Sequence, residues 1–192
     1  MTLEVLRASE RQAVPWLNGG GVTREVAARP EGSGMTDFDW RISLADVDRG
    51  GPFSGFAGVD RVITLVEGAG MALTVAGAEQ VLDAPYRPFP FPGDAPTDCR
   101  LLAGPVVDFN VMTRRGRATA EVAIARSARP LPVPEGAELL VVCLAGTAEL
   151  APAAPDAAPL RLERFDAVLL RGDGARLTEV DGAAAVVTLG TP

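Results

Sequence analysis

Three stretches of this chain bring together side chains that can hold a small acid or move a proton on it. In "FDWRISLADV" (38–47) the alternation of a β-strand sends Trp40, Ile42 and Leu44 to one face and Arg41, Ser43 and Ala45 to the other. Arg41 offers a planar, two-pronged donor for a carboxylate, and Ser43 a neutral donor and acceptor. If the strand borders a cavity, that second set lines it; if the first set fills the core and no cavity exists, the second faces solvent. In "DFNVMTRRGR" (108–117) Asp108, Asn110 and Met112 share a face opposite Phe109 and Val111. An acid and an amide two residues apart can converge on a ligand or satisfy neighbouring turns. In "GGPFSGFAGVDR" (50–61) two Phe residues can cap a cavity or simply fill space. The adjacent Asp60 and Arg61 read as an ion pair at the start of a strand.

A fourth stretch, "PWLNGGGVTREVAA" (15–28), carries three consecutive glycines. A phosphate-binding loop would need a Lys after them, and a dinucleotide fingerprint a following helix. The chain has no Lys, and the residues after Gly21 are β-branched and strand-like. The glycines therefore form a plain turn, or a pocket wall that lets a ligand lie against backbone N–H groups.

Composition narrows the chemistry further. There is no His, so the common zinc, non-haem iron and Ser-His-Asp designs are ruled out, and no metal or cofactor is expected. Absence of Lys removes Schiff-base catalysis. Twenty-five acidic residues against 18 basic ones give a net charge of −7, which repels a phosphate backbone and argues against nucleic acid as a partner. "RRGR" (114–117) is then a solvated basic turn. Cys99 and Cys143 are far apart in sequence and read as buried, reduced thiols. The N-terminus shows no basic-then-apolar signal pattern and no 18-residue apolar run occurs, so a cytoplasmic protein with no membrane association is expected.

The elements that must position these side chains are strands. Twenty-one glycines and 16 prolines punctuate short alternating or apolar runs in a chain that is 47% hydrophobic. The only weak helical signal lies near Ser9 to Val14. Many short strands with turn signals point to a sandwich or barrel. A faint repeat points to two of them. "ITLVEGAGMAL" (63–73) resembles "VVCLAGTAEL" (141–150), and "FPFPGDA" (89–95) resembles "VLLRGDGA" (168–175). A glycine turn followed by a Gly-Asp turn at matched spacing is the pattern of cupin-type barrels. "PAAPDAAP" (152–159) reads as an exposed hairpin loop of the second module.

Taken in order, "PWLNGGGVTREVAA", "FDWRISLADVDRGGPFSGFAGVDRVITLVEGAGMAL", "FPGD" and "GPVVDFNVMTRR" resemble the HutD/Ves family over roughly residues 14 to 117. The C-terminal third resembles it only loosely, through "DAVLLRGDG". The resemblance implies a mainly β chain, with two cupin-like (RmlC-like) β-barrel modules forming one bicupin unit. Their spans would be 1–105 and 106–192, with strands shared between them. It further implies a metal-free pocket involving Asn18, Thr23, Arg24, Trp40, Arg41, Ser43, Phe53, Ser54, Arg61, Asp108 and Asn110. The function it implies is binding of a small acidic metabolite, urocanate or a formylated or formiminated glutamate, that modulates histidine catabolism. A metal-independent cupin-fold enzyme is the alternative, with Asp108 as base and Arg41 stabilising charge. A third reading is an interaction scaffold whose pocket is collapsed. A homodimer paired through edge strands is left open.

Overall fold

A computed structural model describes residues 2–153 and 158–192. Half of the Pro/Ala-rich stretch read as a hairpin loop, 154–157 of 152–159, lies outside the described residues. Apart from one helical turn at Ala8–Glu10, close to where the weak helical signal lay, every regular element is a strand. Among the described residues no helix is long and apolar enough to cross a membrane.

The chain divides into two units, residues 11–118 and residues 1–10 with 119–192. Strand β1 (Thr2–Leu6) belongs to the second of these. The 11–118 unit contains β2 (Ala13–Pro15), β3 (Gly21–Arg29), β4 (Trp40–Val47), β5 (Gly51–Pro52) and β6 (Val59–Glu67). It continues with β7 (Met71–Val75), β8 (Ala78–Leu82), β9 (Pro88–Pro92), β10 (Thr97–Leu101) and β11 (Val106–Arg114). These form a six-stranded antiparallel sheet, β2-β3-β4-β11-β6-β9, and a four-stranded one, β5-β10-β7-β8. One apolar core draws on both. Val47, Ile63, Leu65, Phe91 and Val106 come from the larger sheet, and Met71, Leu73, Leu82 and Cys99 from the smaller. The three prolines of β9 sit on an edge strand that pairs only with β6, where a missing N–H costs no ladder bond. The alternating phenylalanines, Phe89 and Phe91, stack on each other with ring centroids 5.9 Å apart.

Strand β11 starts at Val106, just after the boundary expected from sequence. It pairs along its length with β4 on one side and β6 on the other, inside the 11–118 unit. This makes it the central strand of the sheet that carries the polar stretches.

The other unit contains β12 (Thr119–Ala125), β13 (Arg129–Leu131), β14 (Glu138–Pro152), β15 (Leu160–Leu162), β16 (Ala167–Arg171) and β17 (Ala175–Gly190). Its sheet runs β1-β16-β14-β17-β12, with β13 on β17 and β15 on β14. The repeat maps unevenly. "FPFPGDA" and "VLLRGDGA" both leave a strand into a tight turn, but the Glu67–Met71 turn between β6 and β7 has as counterpart a bent continuous strand. There β14 shifts register on β17 between Cys143 and Ala145, and Gly146 takes a φ of +65°. Both cysteines are buried free thiols, and burial raises the pKa of Cys99 to about 12 and that of Cys143 to about 11. Neither is a nucleophile at neutral pH.

Candidate functional site

The polar residues of β3, β4, β6 and β11 fall into rows because antiparallel partners project side chains to the same face. Across β4, β11 and β6 one row reads Arg41, Met112, Arg61. The next, extended to β3, reads Glu25, Ser43, Asn110, Ile63, and the third Thr23, Ala45, Asp108, Leu65. The inner face thus passes from polar to apolar, from Arg61 to Leu65 on β6, from Arg41 to Val47 on β4 and from Asn110 and Asp108 to Val106 on β11. The apolar end fills the core. The polar end lines a cavity of about 630 Å³, whose rim carries Trp16, Leu17, Met35 and Phe56. That volume suits a small metabolite.

Nine of the eleven residues expected at a site border this cavity: Asn18, Thr23, Arg41, Ser43, Phe53, Ser54, Arg61, Asp108 and Asn110. The other two do not, for one geometric reason. With Thr23 and Arg41 pointing in, their neighbours Arg24 and Trp40 must point to the opposite face. Arg24 pairs there with Asp46, and Trp40 lies under the Arg29 guanidinium, 5.5 Å from the ring centroid. That opposite face, with Ile42, Leu44, Phe109 and Val111, is buried as well.

Arg61 is the most unusual member. Its side chain is buried at 7% exposure, and its guanidinium sits 5.0 Å from the ring centroids of Phe53 and Phe91 and 5.7 Å from that of Phe56. Aromatic faces attract a cation, which offsets part of the cost of desolvating it. Gly93 makes room for the stem: a Cβ there would come within 3.2 Å of Arg61 Cγ and Cδ and 2.9 Å of the Val59 carbonyl oxygen. The Gly93 carbonyl in turn accepts the Phe56 N–H at 2.8 Å and fastens the aromatic loop. Burial lowers the Arg61 pKa to about 10, with Asp108 opposing and Arg41 adding to the change, so it remains a cation at neutral pH. Arg61 makes no ion pair among the described residues, and its Nε has no hydrogen-bond partner. The ion pair expected with Asp60 does not form. Asp60 faces outward by alternation and binds Arg115, whose Nε donates to it at 2.7 Å.

Asp108 is 3% exposed, and burial pushes its carboxyl up to about 7, with Arg61 pulling it down and Asp46 pushing it further up. It stands near half-ionisation at neutral pH. Arg41 Nε donates to Glu25 Oε2 at 2.7 Å. Trp16 Nε1 donates to Thr23 Oγ1 at 2.8 Å, which leaves the threonine O–H to donate elsewhere. The Asn110 Oδ1 is buried with no partner. Among the described residues no three His, Cys, Asp or Glu side chains come together as metal ligands.

The glycine run is not a ligand-binding backbone wall. The Gly19 N–H donates to the Trp16 carbonyl and the Gly20 N–H to Asn18 Oδ1, both at 2.9 Å. What the run provides is close approach of strands: a Cβ on Gly21 would lie 2.3 Å from the Asp46 carbonyl oxygen. The turn thereby holds Trp16 and Asn18 at the cavity edge. Glu25, Trp16, Phe56 and Met112 are among the lining residues absent from the sequence-based set. Glu25 was within reach of alternation, being two residues after Thr23.

A family model for HutD matches residues 8–188. The chain belongs to the HutD family. Among curated HutD-family relatives, Protein Ves of Citrobacter koseri is 41% identical over 111 residues, 57% of this chain. The chain spans 57% of the length of that relative and of a curated relative from Pseudomonas putida. Among solved structures, HutD from Pseudomonas fluorescens SBW25 superposes with a TM-score of 0.85 at 32% identity, covering all of both chains. An oxalate decarboxylase from Lactobacillus farciminis superposes with a TM-score of 0.67 at 10% identity, over 98% of this chain and 86% of that one. The second likeness concerns fold alone: the chain is a mainly β protein with cupin-like neighbours.

Proposed function

We propose that this HutD-family chain binds a small acidic metabolite in the cavity of its 11–118 unit and thereby modulates histidine catabolism in the cytoplasm. Candidate ligands are urocanate and formylated or formiminated glutamate. On this reading each unit is one cupin-like barrel of a bicupin. The observation that carries it is Arg61: a buried guanidinium caged by three phenylalanine rings, with no direct ion pair among the described residues, on the wall of a metabolite-sized cavity. Burying an unpaired cation is costly, and an incoming carboxylate supplies the missing anion with charge-assisted hydrogen bonds. Arg41 stands in the same row, beyond Met112, and adds positive potential.

Calorimetric titration with histidine, urocanate, formiminoglutamate, formylglutamate and glutamate tests this. One acid should bind, and Arg61→Met should weaken it about ten- to hundredfold, the worth of hydrogen bonds to a charged group. No binding by any of them would end the reading.

One observation favours a second reading, a metal-independent enzyme acting on a small carboxylic acid. Asp108 is a buried carboxyl near half-ionisation at neutral pH on the wall that holds Arg61, as a general base requires. Turnover of a bound acid that Asp108→Asn abolishes, with binding retained, would decide for it.

A further inference from the structure

Two buried polar atoms on the cavity wall lack partners, and they are of opposite kind. Arg61 Nε is a donor and Asn110 Oδ1 an acceptor; each side chain is more than nine-tenths buried and borders the cavity. Resting on the carboxylate-binding reading above, we propose that the ligand is a carboxylate that also carries an N–H or O–H donor, and that Asn110 selects for that donor.

Sheet register fixes the relation of the two groups. Asn110 pairs with Ile63 on β6, and Arg61 is two residues from Ile63, so Arg61 and Asn110 are diagonal neighbours on one face. Such positions lie about 7–8 Å apart. A molecule whose carboxylate meets Arg61 therefore presents atoms only a few bonds away to Asn110. The other cross-strand neighbour on this face is Ser43, and its hydroxyl is not bonded to Asn110 Oδ1. Ile63 has no polar group to offer. The donor for this oxygen is thus not supplied by the wall itself.

The oxygen is shut off from solvent as well as from the donors of the wall. A ligand whose donor meets it, on a small turn of the amide, satisfies a buried acceptor that is otherwise unpaired. Sites built to bond a polar group reject analogues lacking it far more strongly than they reject a missing methylene. The expected discrimination is about ten- to hundredfold. Acids bearing an amide, imidazole or hydroxyl near the carboxylate fit; plain alkyl carboxylates do not. Asp108, two residues from Asn110 on the same face, adds an acceptor beside it when ionised.

The experiment compares N-acetylglycine with acetoxyacetate, acids of equal charge and length that differ in having an amide N–H or an ester oxygen. Binding to the full chain is followed by NMR titration. The amide should bind at least about tenfold more tightly. In Asn110→Leu the preference should collapse to near unity while the ester binds as before. Equal binding of the two acids by the wild-type chain would overturn the inference, and needs no variant. A preference that survives in Asn110→Leu would overturn it as well, because the ester's weaker carbonyl would then be the cause. Binding of neither acid would overturn both the inference and the carboxylate reading beneath it, whereas equal binding leaves that reading standing.

Discussion

Replacing Asp108 by Asn should flatten a pH dependence of stability that the wild-type chain carries between about pH 4 and pH 7. The carboxyl has an ordinary value of 3.8 and is pushed to about 7 in the folded chain, chiefly by burial. Below pH 4 both folded and unfolded chains hold the proton. Between 4 and 7 the folded chain keeps it and the unfolded chain releases it. Unfolding then releases a proton, so stability falls as pH rises through this window and levels off above 7. A carboxyl moved from 3.8 to about 7 sets, at about 1.36 kcal/mol per tenfold change in proton affinity, a ceiling of about 4 kcal/mol. For a chain of this length that corresponds to about 8–16 °C in melting temperature. Cavity water around the carboxyl reduces the figure and leaves its sign unchanged.

The assay is urea denaturation at fixed ionic strength from pH 4.5 to 7.5, on wild type and Asp108→Asn. Asn matches the shape of Asp and does not titrate, so the difference in stability isolates the one carboxyl. Carboxylates with lowered values act outside the window. Asp94 is held down to about 2 by Arg115, and Asp166 is lowered by the Ala8 N–H and Arg7 against the cost of burial. Their contribution is lost as pH falls below 4, the opposite direction. A difference between the two proteins that stays constant across the window would refute the reasoning. Asp108 would then ionise freely in the fold, and both its burial and its coupling to Arg61 would have been misread.

Three further outcomes follow from the same geometry. Arg61→Met should raise the urea midpoint, by about 1 kcal/mol of stability, because a desolvated cation without an ion pair is replaced by an apolar stem of similar length; acid binding should weaken about ten- to hundredfold in the same variant by calorimetry. Gly93→Ala should destabilise the chain by about 1–3 kcal/mol in urea, since the new methyl meets the Val59 carbonyl oxygen at 2.9 Å. The same variant should weaken acid binding by shifting the Arg61 stem. Glu25→Gln should tighten binding of a monocarboxylate up to about fivefold, because Glu25 competes with the ligand for Arg41 through a pair that is half-exposed on the acid's side; an unchanged affinity would show that Arg41 stays bound to position 25 when the cavity fills.

How much of this was legible in the sequence depends on which physical rule governs each residue. The β character followed from turn residues and alternation. The polar face of β4 and β11 followed from the same period of two. The cage around Arg61 did not, because its rings come from the loop after β5, through Phe53 and Phe56, and from the edge strand β9, through Phe91. No local spacing links those positions to Arg61. Asp60 stood next to Arg61 and invited a local ion pair, yet adjacent residues on a strand point apart, and the partner of Asp60 is 55 residues away.

Alternation also holds a constraint that motif matching overrides. A set containing both Thr23 and Arg24, or both Trp40 and Arg41, cannot lie on one face of a regular strand. Once Arg41 and Ser43 are placed in a cavity, Trp40 is excluded from it, and register across β3 then excludes Arg24 and admits Glu25. A bulge could have broken this inference. The one in β3 lies between Glu25 and Ala27, past the residues concerned. The motif residues outside the cavity therefore serve the opposite face, where Arg24 holds Asp46 and Trp40 is buried under Arg29. Such residues hold the sheet in the shape that aligns the rows. Their replacement should lower stability first and affinity only through it, which separates them in a titration from Arg61 and Asn110.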